Sequence, residues 1–461
     1  MTRLFHMLTL TVLLCSFSAP AAQKPDTEKP KPATSAGKRE ISWDTYLDKV
    51  QGAWMGKMIG VTFGAPWEFR YQGVPMGFDI TDWPLSQTRM KEYIDHAATP
   101  PDKWLPATTP EEAKKFYINQ NFIWHSEKTH PSFGCPDNDD LYINMLFLYC
   151  LRRYGIDVDP VTVAGEWAKK IKRVWHANDA GLSNIKKGIL PPMSGNPKYN
   201  LHADDIDFQI EADVFGMIAP GMPQVSNKYG DRMGHIMNYG DGVYGGMFIA
   251  AMYAQAFFAK SVREVVEQGL KAIPAESLYA QLIRDVIRWH DENPRDWEKT
   301  WTLLQEKWGN ADHCPDGYQK PFNIDAKLNG GYVVIGLLYG DGDWYKTMNY
   351  ATRCGQDNDC NPANAAGILG ALIGAHAIPA EYRKPLHNTY WNESLAELPD
   401  AYEIDVLAED TCLVGMRVLL ANGGRVATRA GKMVLEIPYQ EPQAPAKLEQ
   451  VKWNDDKPVI E

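Results

Sequence analysis

The chain has 461 residues, 44% of them hydrophobic, enough for one large core or more than one domain. A formal net charge of -11 argues against nucleic acid and anionic membranes as partners, since both reward basic surfaces. With 15 Trp and 22 Tyr the chain is rich in aromatics, which fill cores first and build sugar-binding walls second.

Residues 1–22 read as a signal peptide. Arg3 supplies the positive start, Met7 to Phe17 the apolar stretch, and Ala19-Pro20-Ala21 a small-residue cleavage site. Bulky Leu14 before Cys15 disfavours a lipoprotein anchor. No later stretch offers the roughly 18 apolar residues of a membrane span. The expectation is a soluble mature chain exported to the periplasm or beyond, where disulfides are permitted. Cys135, Cys150, Cys314, Cys354, Cys360 and Cys412 follow the leader, too few in so long a chain for a disulfide framework.

Residues 23–40, rich in Pro and Lys, read as a flexible tether. A helical pattern begins near Ser42, with Leu47, Val50, Trp54 and Val61 on one face. Gly52, Gly56, Gly60 and Gly64 recur along it at every fourth position. Each glycine costs a helix interior about 1 kcal/mol, so the stripe implies close approach of another backbone. Pro66 breaks the helix and leaves Glu68 at its end. Residues 70–130 lack periodicity, as lids and binding loops do.

Helical signals dominate beyond residue 156. Ser261 and Glu264 form a capping box. Leu278, Leu282, Val286 and Trp289 line one helix; Trp297, Trp301, Leu304 and Trp308 line another, running from Asp296 to Gly309. Near the C-terminus VGMRVLL, GGRVAT and KMVLEIP read as short strands. The predicted architecture is all-α: a compact multi-helix domain over residues 41–410 and a small β-rich appendage over residues 411–461.

Two helix starts are unusually acidic. CPDNDDLYINMLFLYC places Asp137, Asp139 and Asp140 around Asn138, and CGQDNDCNPANAAGILGALIGA places Asp357 and Asp359 around Asn358. One aspartate per start would be a cap that complements the helix dipole. Crowded like charges repel unless protonated or bridged by a cation. Oxygen-rich Asp/Asn clusters suit hard ions such as Mg²⁺, Mn²⁺ or Ca²⁺. Neither stretch has the glycine and glutamate of an EF-hand. Asp204, Asp205 and Asp207, like Asp341 and Asp343, read as solvated turns. The 11 histidines lack zinc-site spacing, and neither GxSxG nor a P-loop occurs.

Four blocks resemble the ADP-ribosylglycohydrolase family: GAWMGKMIGVTFGAPWE, PDNDDLYINMLFLYCLRRYG, IEADVFGMIAPGMP with GDGVYGGMFIAAMYAQAF, and GYVVIGLLYGDGDWYKTMNYATRCGQDNDCNPANAAGILGALIGA. The resemblance implies an all-α fold around two Mg²⁺ ions and hydrolysis of a glycosidic bond. It implies metal ligation by Asp139, Asp140, Asp357 and Asp359, with the two acidic starts as halves of one site; Asn138 and Cys360, beside them, are further candidate ligands. Catalytic roles fall to Glu68, Asp139 and Asp357, and Asp213 and Asp241 are candidates for substrate hydroxyls. Asn138 stands where the family carries Thr, Leu141 follows the Asp pair in place of Thr, and Cys360 replaces Thr or Ser. Cys360 is either a ligand or half of a disulfide with Cys135 or Cys354.

Three functions compete: cleavage of an ADP-ribosyl bond, cleavage of a glycan or other glycoside, and non-enzymatic binding of a sugar or nucleotide. Export favours the glycoside, because ADP-ribosylated proteins are mainly intracellular. The partner is a small molecule or glycan.

Overall fold

The computed structural model describes residues 37–68, 71–81, 83, 133–310, 315, 322–454 and 457–459. The predicted leader, nearly all of the tether and most of the aromatic 70–130 segment lie outside the described residues, as does Cys314.

Strand β1 (Lys38–Ser42) leads into α1 (Trp43–Gly64), whose N-cap Ser42 Oγ accepts from Thr45 N at 3.1 Å. Then come α2 (Asp139–Tyr154), α3 (Pro160–Lys170), α4 (His176–Lys186), the short α5 (Asp207–Glu211) and α6 (Asp213–Met217), α7 (Pro223–Gly234) and α8 (Asp241–Ala256). α9 (Val262–Leu270), α10 (Leu278–Glu292) and α11 (Trp297–Trp308) open on side-chain caps from Ser261, Ser277 and Asp296. The Glu264 carboxylate of the expected box accepts from Lys260 N rather than from Ser261 N. α12 (Ala326–Gly340), α13 (Trp344–Arg353), α14 (Cys360–Ile373), α15 (Ala380–Arg383) and α16 (Ile404–Ala421) complete the helices. The all-α expectation holds. None of the described helices is long and apolar enough to cross a membrane.

The core is organised by helices apolar around their whole circumference. Every residue of α8 is buried, and so is nearly all of α12 and of α1 beyond Gly52. A helix without a polar face has no stable place but the centre. The glycine stripe of α1 faces α14, as its spacing predicts. A Cβ on Gly52 would come within 2.4 Å of Gly370 O, on Gly56 within 2.2 Å of Ala366 O, and on Gly60 within 2.3 Å of Pro362 O. On Gly64 it would lie 2.0 Å from Asn358 O. Residue numbers fall on one helix as they rise on the other, so the pair is antiparallel. The end of α1, with Glu68 just beyond it, therefore lies beside the acidic start of α14.

The C-terminal region departs from expectation in two ways. VGMRVLL belongs to α16, not to a strand. α16 packs on α1, where Trp54 Nε1 donates to Thr411 Oγ1 at 3.0 Å. GGRVAT and KMVLEIP do contain strands, β2 (Arg425–Arg429) and β3 (Lys432–Pro438). They form an antiparallel sheet in the order β1-β3-β2, with Ile41 opposite Leu435 and Val426 opposite the same residue. Lys38 to Glu40, read as the end of the tether, are part of that sheet and tie the start of α1 to the C-terminal strands.

Candidate active site

The acidic starts of α2 and α14 meet at the end of α1. Asn138 caps α2 by accepting from Asp140 N at 3.0 Å, while its Nδ2 donates to Asp359 Oδ2 at 3.1 Å across the two starts. Ligand atoms of Asp139, Asp140 and Cys360 lie within 4.8 Å of one another, as do those of Asp357, Asp359 and Cys360. The Cys360 thiol thus adjoins both pairs. It is no disulfide: Cys135, Cys354 and Cys360 are all free and buried, which removes that alternative.

The electrostatics follow from crowding in a buried site. Burial raises the Glu68 carboxyl well above its ordinary range, and Asp359, Asp357, Asp139 and Asp140 raise it further. Asp139 is raised by burial and by Asp140, Asp359 and Asp207. Asp357 is raised by burial and by Asp359. Burial also lifts Asp140, Lys57 pulls it back and Asp359 lifts it again, to about 7. The Cys360 thiol is pushed well up by burial and by the same aspartates.

Lys57, on α1, lies in no recognisable sequence motif. Its buried Nζ donates to Asp140 Oδ1 and Asp213 Oδ2, both at 2.9 Å, and to Ile210 O at 2.8 Å. Asn144 and Asn364 also donate to Asp213, each at 3.1 Å. Asp213 is fully buried and stands as a strut behind Asp140. Asp241 Oδ1 accepts from Tyr279 N at 3.2 Å and joins α8 to α10. Asp137 accepts from Tyr390 Oη at 2.7 Å.

Other acidic residues surround the centre without having been predicted for it. Glu211, at the end of α5, is fully buried and raised by burial and by Asp207, with Asp139 and Asp140 adding to the rise. Its position two residues before Asp213 was the available signal. Asp204, Asp205 and Asp207 are buried at 5%, 0% and 4% exposure, not solvated turns as expected. Asp207 accepts from Asn178 N at 3.0 Å and Ala177 N at 3.3 Å, capping the start of α4. Asp341 and Asp343 do lie at an exposed turn.

Whether this donor set fits a cation can be tested on its own atoms. Asp140 Oδ2 and Glu211 Oε2 are buried with no hydrogen-bond partner among the described residues. Orphaned carboxylate oxygens in a crowd of like charge carry a large cost unless a cation or protons neutralise them. The oxygens suit a hard divalent ion and the thiol a softer one, so the set fits metal.

Fold and site together define a helical protein built around a buried, metal-fitting acidic centre. A profile of the ADP-ribosylglycohydrolase family matches residues 42–411, and the chain belongs to that family. No curated protein matches the chain significantly. Among solved structures, a chain described as an ADP-ribosylglycohydrolase-related protein complex is similar at a TM-score of 0.48 and 14% identity, covering 81% of this chain and 99% of its own. Membership implies a metal-dependent hydrolase of glycosidic bonds.

Proposed function

We propose that this chain is an exported, divalent-cation-dependent glycohydrolase whose substrate is a glycan or other small glycoside rather than an ADP-ribosylated protein. The convergence of Glu68 with the two acidic helix starts carries the reading. Asp139, Asp140, Asp357 and Asp359 would hold the cation, with Asn138 and Cys360 at its edge; Mg²⁺ is the expected ion, and two fit the paired donors. When bound, such ions supply Lewis acidity and a template for sugar hydroxyls.

The chain's own groups supply the rest. Burial and the surrounding carboxylates raise Glu68, which suits it to protonate the departing oxygen of an oxocarbenium-like reaction and then to accept a proton from water. Lys57 holds Asp140 in place and offsets its charge. The leader-like first 22 residues support export.

The test uses purified mature chain with Mg²⁺ against two panels, ADP-ribosylated peptides and aryl or oligosaccharide glycosides. Glycoside cleavage is expected. It should stop on chelation and fall by roughly 10²–10⁴-fold in Glu68→Gln, with cation binding retained. Asp357→Ala should lose cation binding and turnover together; retention of both ions would sink the assignment of the centre. Release of ADP-ribose alone would overturn the substrate reading. Sugar binding without turnover would favour a binding protein.

A further inference from the structure

Beside the acidic centre, the described residues contain another convergent set of metal-ligating side chains. Ligand atoms of His176, His202 and Asp205 lie within 4.8 Å of one another. No sequence spacing announces this set, because 26 positions separate the two histidines. The imidazoles stand edge to face with centroids 5.9 Å apart, and His202 Nδ1 is 2.7 Å from Asp205 Oδ2. Asp205 is fully buried, while both histidines are partly exposed.

The surrounding structure holds the two histidine segments together. His176 opens α4 at a φ of 44°, a left-handed conformation that a residue with a Cβ adopts only under constraint. Asp207 binds the next two amides, Ala177 N and Asn178 N. Asn200 Nδ2 donates to Ala177 O at 3.0 Å, and Asn200 Oδ1 accepts from His202 N at 3.0 Å. One asparagine thus ties both segments. Outer-shell bonding of this kind fixes ligand orientation in metal sites.

We infer that His176, His202 and Asp205 form a binding site for a transition-metal dication of the zinc class, separate from the oxygen-rich centre. Two imidazoles and one carboxylate suit Zn²⁺ better than Mg²⁺. A tetrahedral ion at about 2.0–2.2 Å from each ligand sets them roughly 3.4 Å apart. The present donors lie within 4.8 Å of one another, and loading the ion would part His202 Nδ1 from Asp205 Oδ2, now 2.7 Å apart, while drawing the wider pairs in. The buried carboxylates of Asp205 and Asp207 disfavour an anion there. The ion would clamp the start of α4 to the 202–205 turn. Asp207, which caps that start, also raises Asp139 by its charge.

This inference does not depend on the glycohydrolase reading, because its test measures binding. Mature chain stripped of metal is titrated with Co²⁺, a visible-absorbing stand-in for Zn²⁺, in saturating Mg²⁺. A ligand-field band saturating at one equivalent is expected, and Zn²⁺ should displace it. His176→Ala and His202→Ala should each weaken this binding by at least about tenfold, while Asp357→Asn and Cys360→Ser leave it intact. Unchanged Co²⁺ binding in both histidine variants, or its loss in Asp357→Asn alone, would overturn the site. If the histidine variants misfold, X-ray absorption of the Zn²⁺-loaded wild-type chain decides. Two imidazoles per ion support the proposal, and none overturns it.

Discussion

With no access to water, the Lys57 ammonium can be satisfied only by what the fold places around it, and its three bonds go to Asp140, Asp213 and the Ile210 carbonyl. Burial works against its charge, but the two aspartates outweigh that and raise its pKa. Lys57→Met keeps much of the volume and removes the charge. Two buried carboxylates are then left facing each other, a class of change that costs about 3–5 kcal/mol. Denaturant unfolding at pH 7 should show that loss. At pH 5 it should be smaller, because Asp140, already at about 7 with Lys57 present, then takes up a proton. An equal loss at both pH values would place the damage in packing alone. Lys57 escaped notice in the sequence because a lysine among glycines and apolar residues carries no motif. Asp139, Asp140, Asp357 and Asp359 were legible because like charges crowded at two helix starts need neutralising. The burial of Asp204, Asp205 and Asp207 was not, since burial of a short polar run depends on which distant segments cover it. Here these are the start of α4 and the 323–326 stretch, where Ile206 N donates to Ile324 O at 2.9 Å and Ala326 N to Asp204 O at 3.1 Å.

At the scale of elements, the α1–α14 contact sets the spacing of the site. The stripe from Gly52 to Gly64 lets backbone meet backbone, and the same contact places the end of α1 against Asn358 and Asp359. Gly60→Ala tests it: the new methyl would stand 2.3 Å from Pro362 O, a main-chain atom that cannot swing away. Overpacking of this kind costs about 1–3 kcal/mol or more. Mg²⁺ affinity should fall with stability, because the helices must separate at the centre's edge. Calorimetric titration of the folded variant checks this; unchanged affinity would show that the centre tolerates helix separation. Periodic spacing makes this packing readable in the sequence. VGMRVLL lacks such spacing: seven residues that mix Val and Leu with Gly, Met and Arg have no decisive period. Its tertiary setting settles the matter, with Gly415 packed where a Cβ would lie 1.9 Å from Tyr46 Oη.

For the whole molecule, the acidic centre makes stability a function of pH and cation together. An aspartate in the unfolded chain titrates near ~3.9, whereas Asp140 is raised to about 7 in the folded chain. Glu68, Asp139, Asp357 and Glu211 are also raised. Between those values the folded state binds more protons than the unfolded state, so unfolding free energy falls as pH rises. The stabilisation from these protons is complete below the unfolded values and is lost as pH climbs through the folded ones. Lys57 adds no slope in this window, since its raised pKa acts only far above neutrality. A divalent cation reverses the trend, because it binds the deprotonated carboxylates and the folded state alone assembles them. In chelator, the melting temperature should drop between pH 5 and pH 8. With Mg²⁺ in excess the drop should shrink or invert, a separation of at least about 3 °C at pH 8. Asp357→Asn should blunt both effects, by removing one raised carboxylate and one donor. Parallel pH profiles with and without Mg²⁺ would mean that the cation does not engage these carboxylates, and the metal reading of the centre would fail with it.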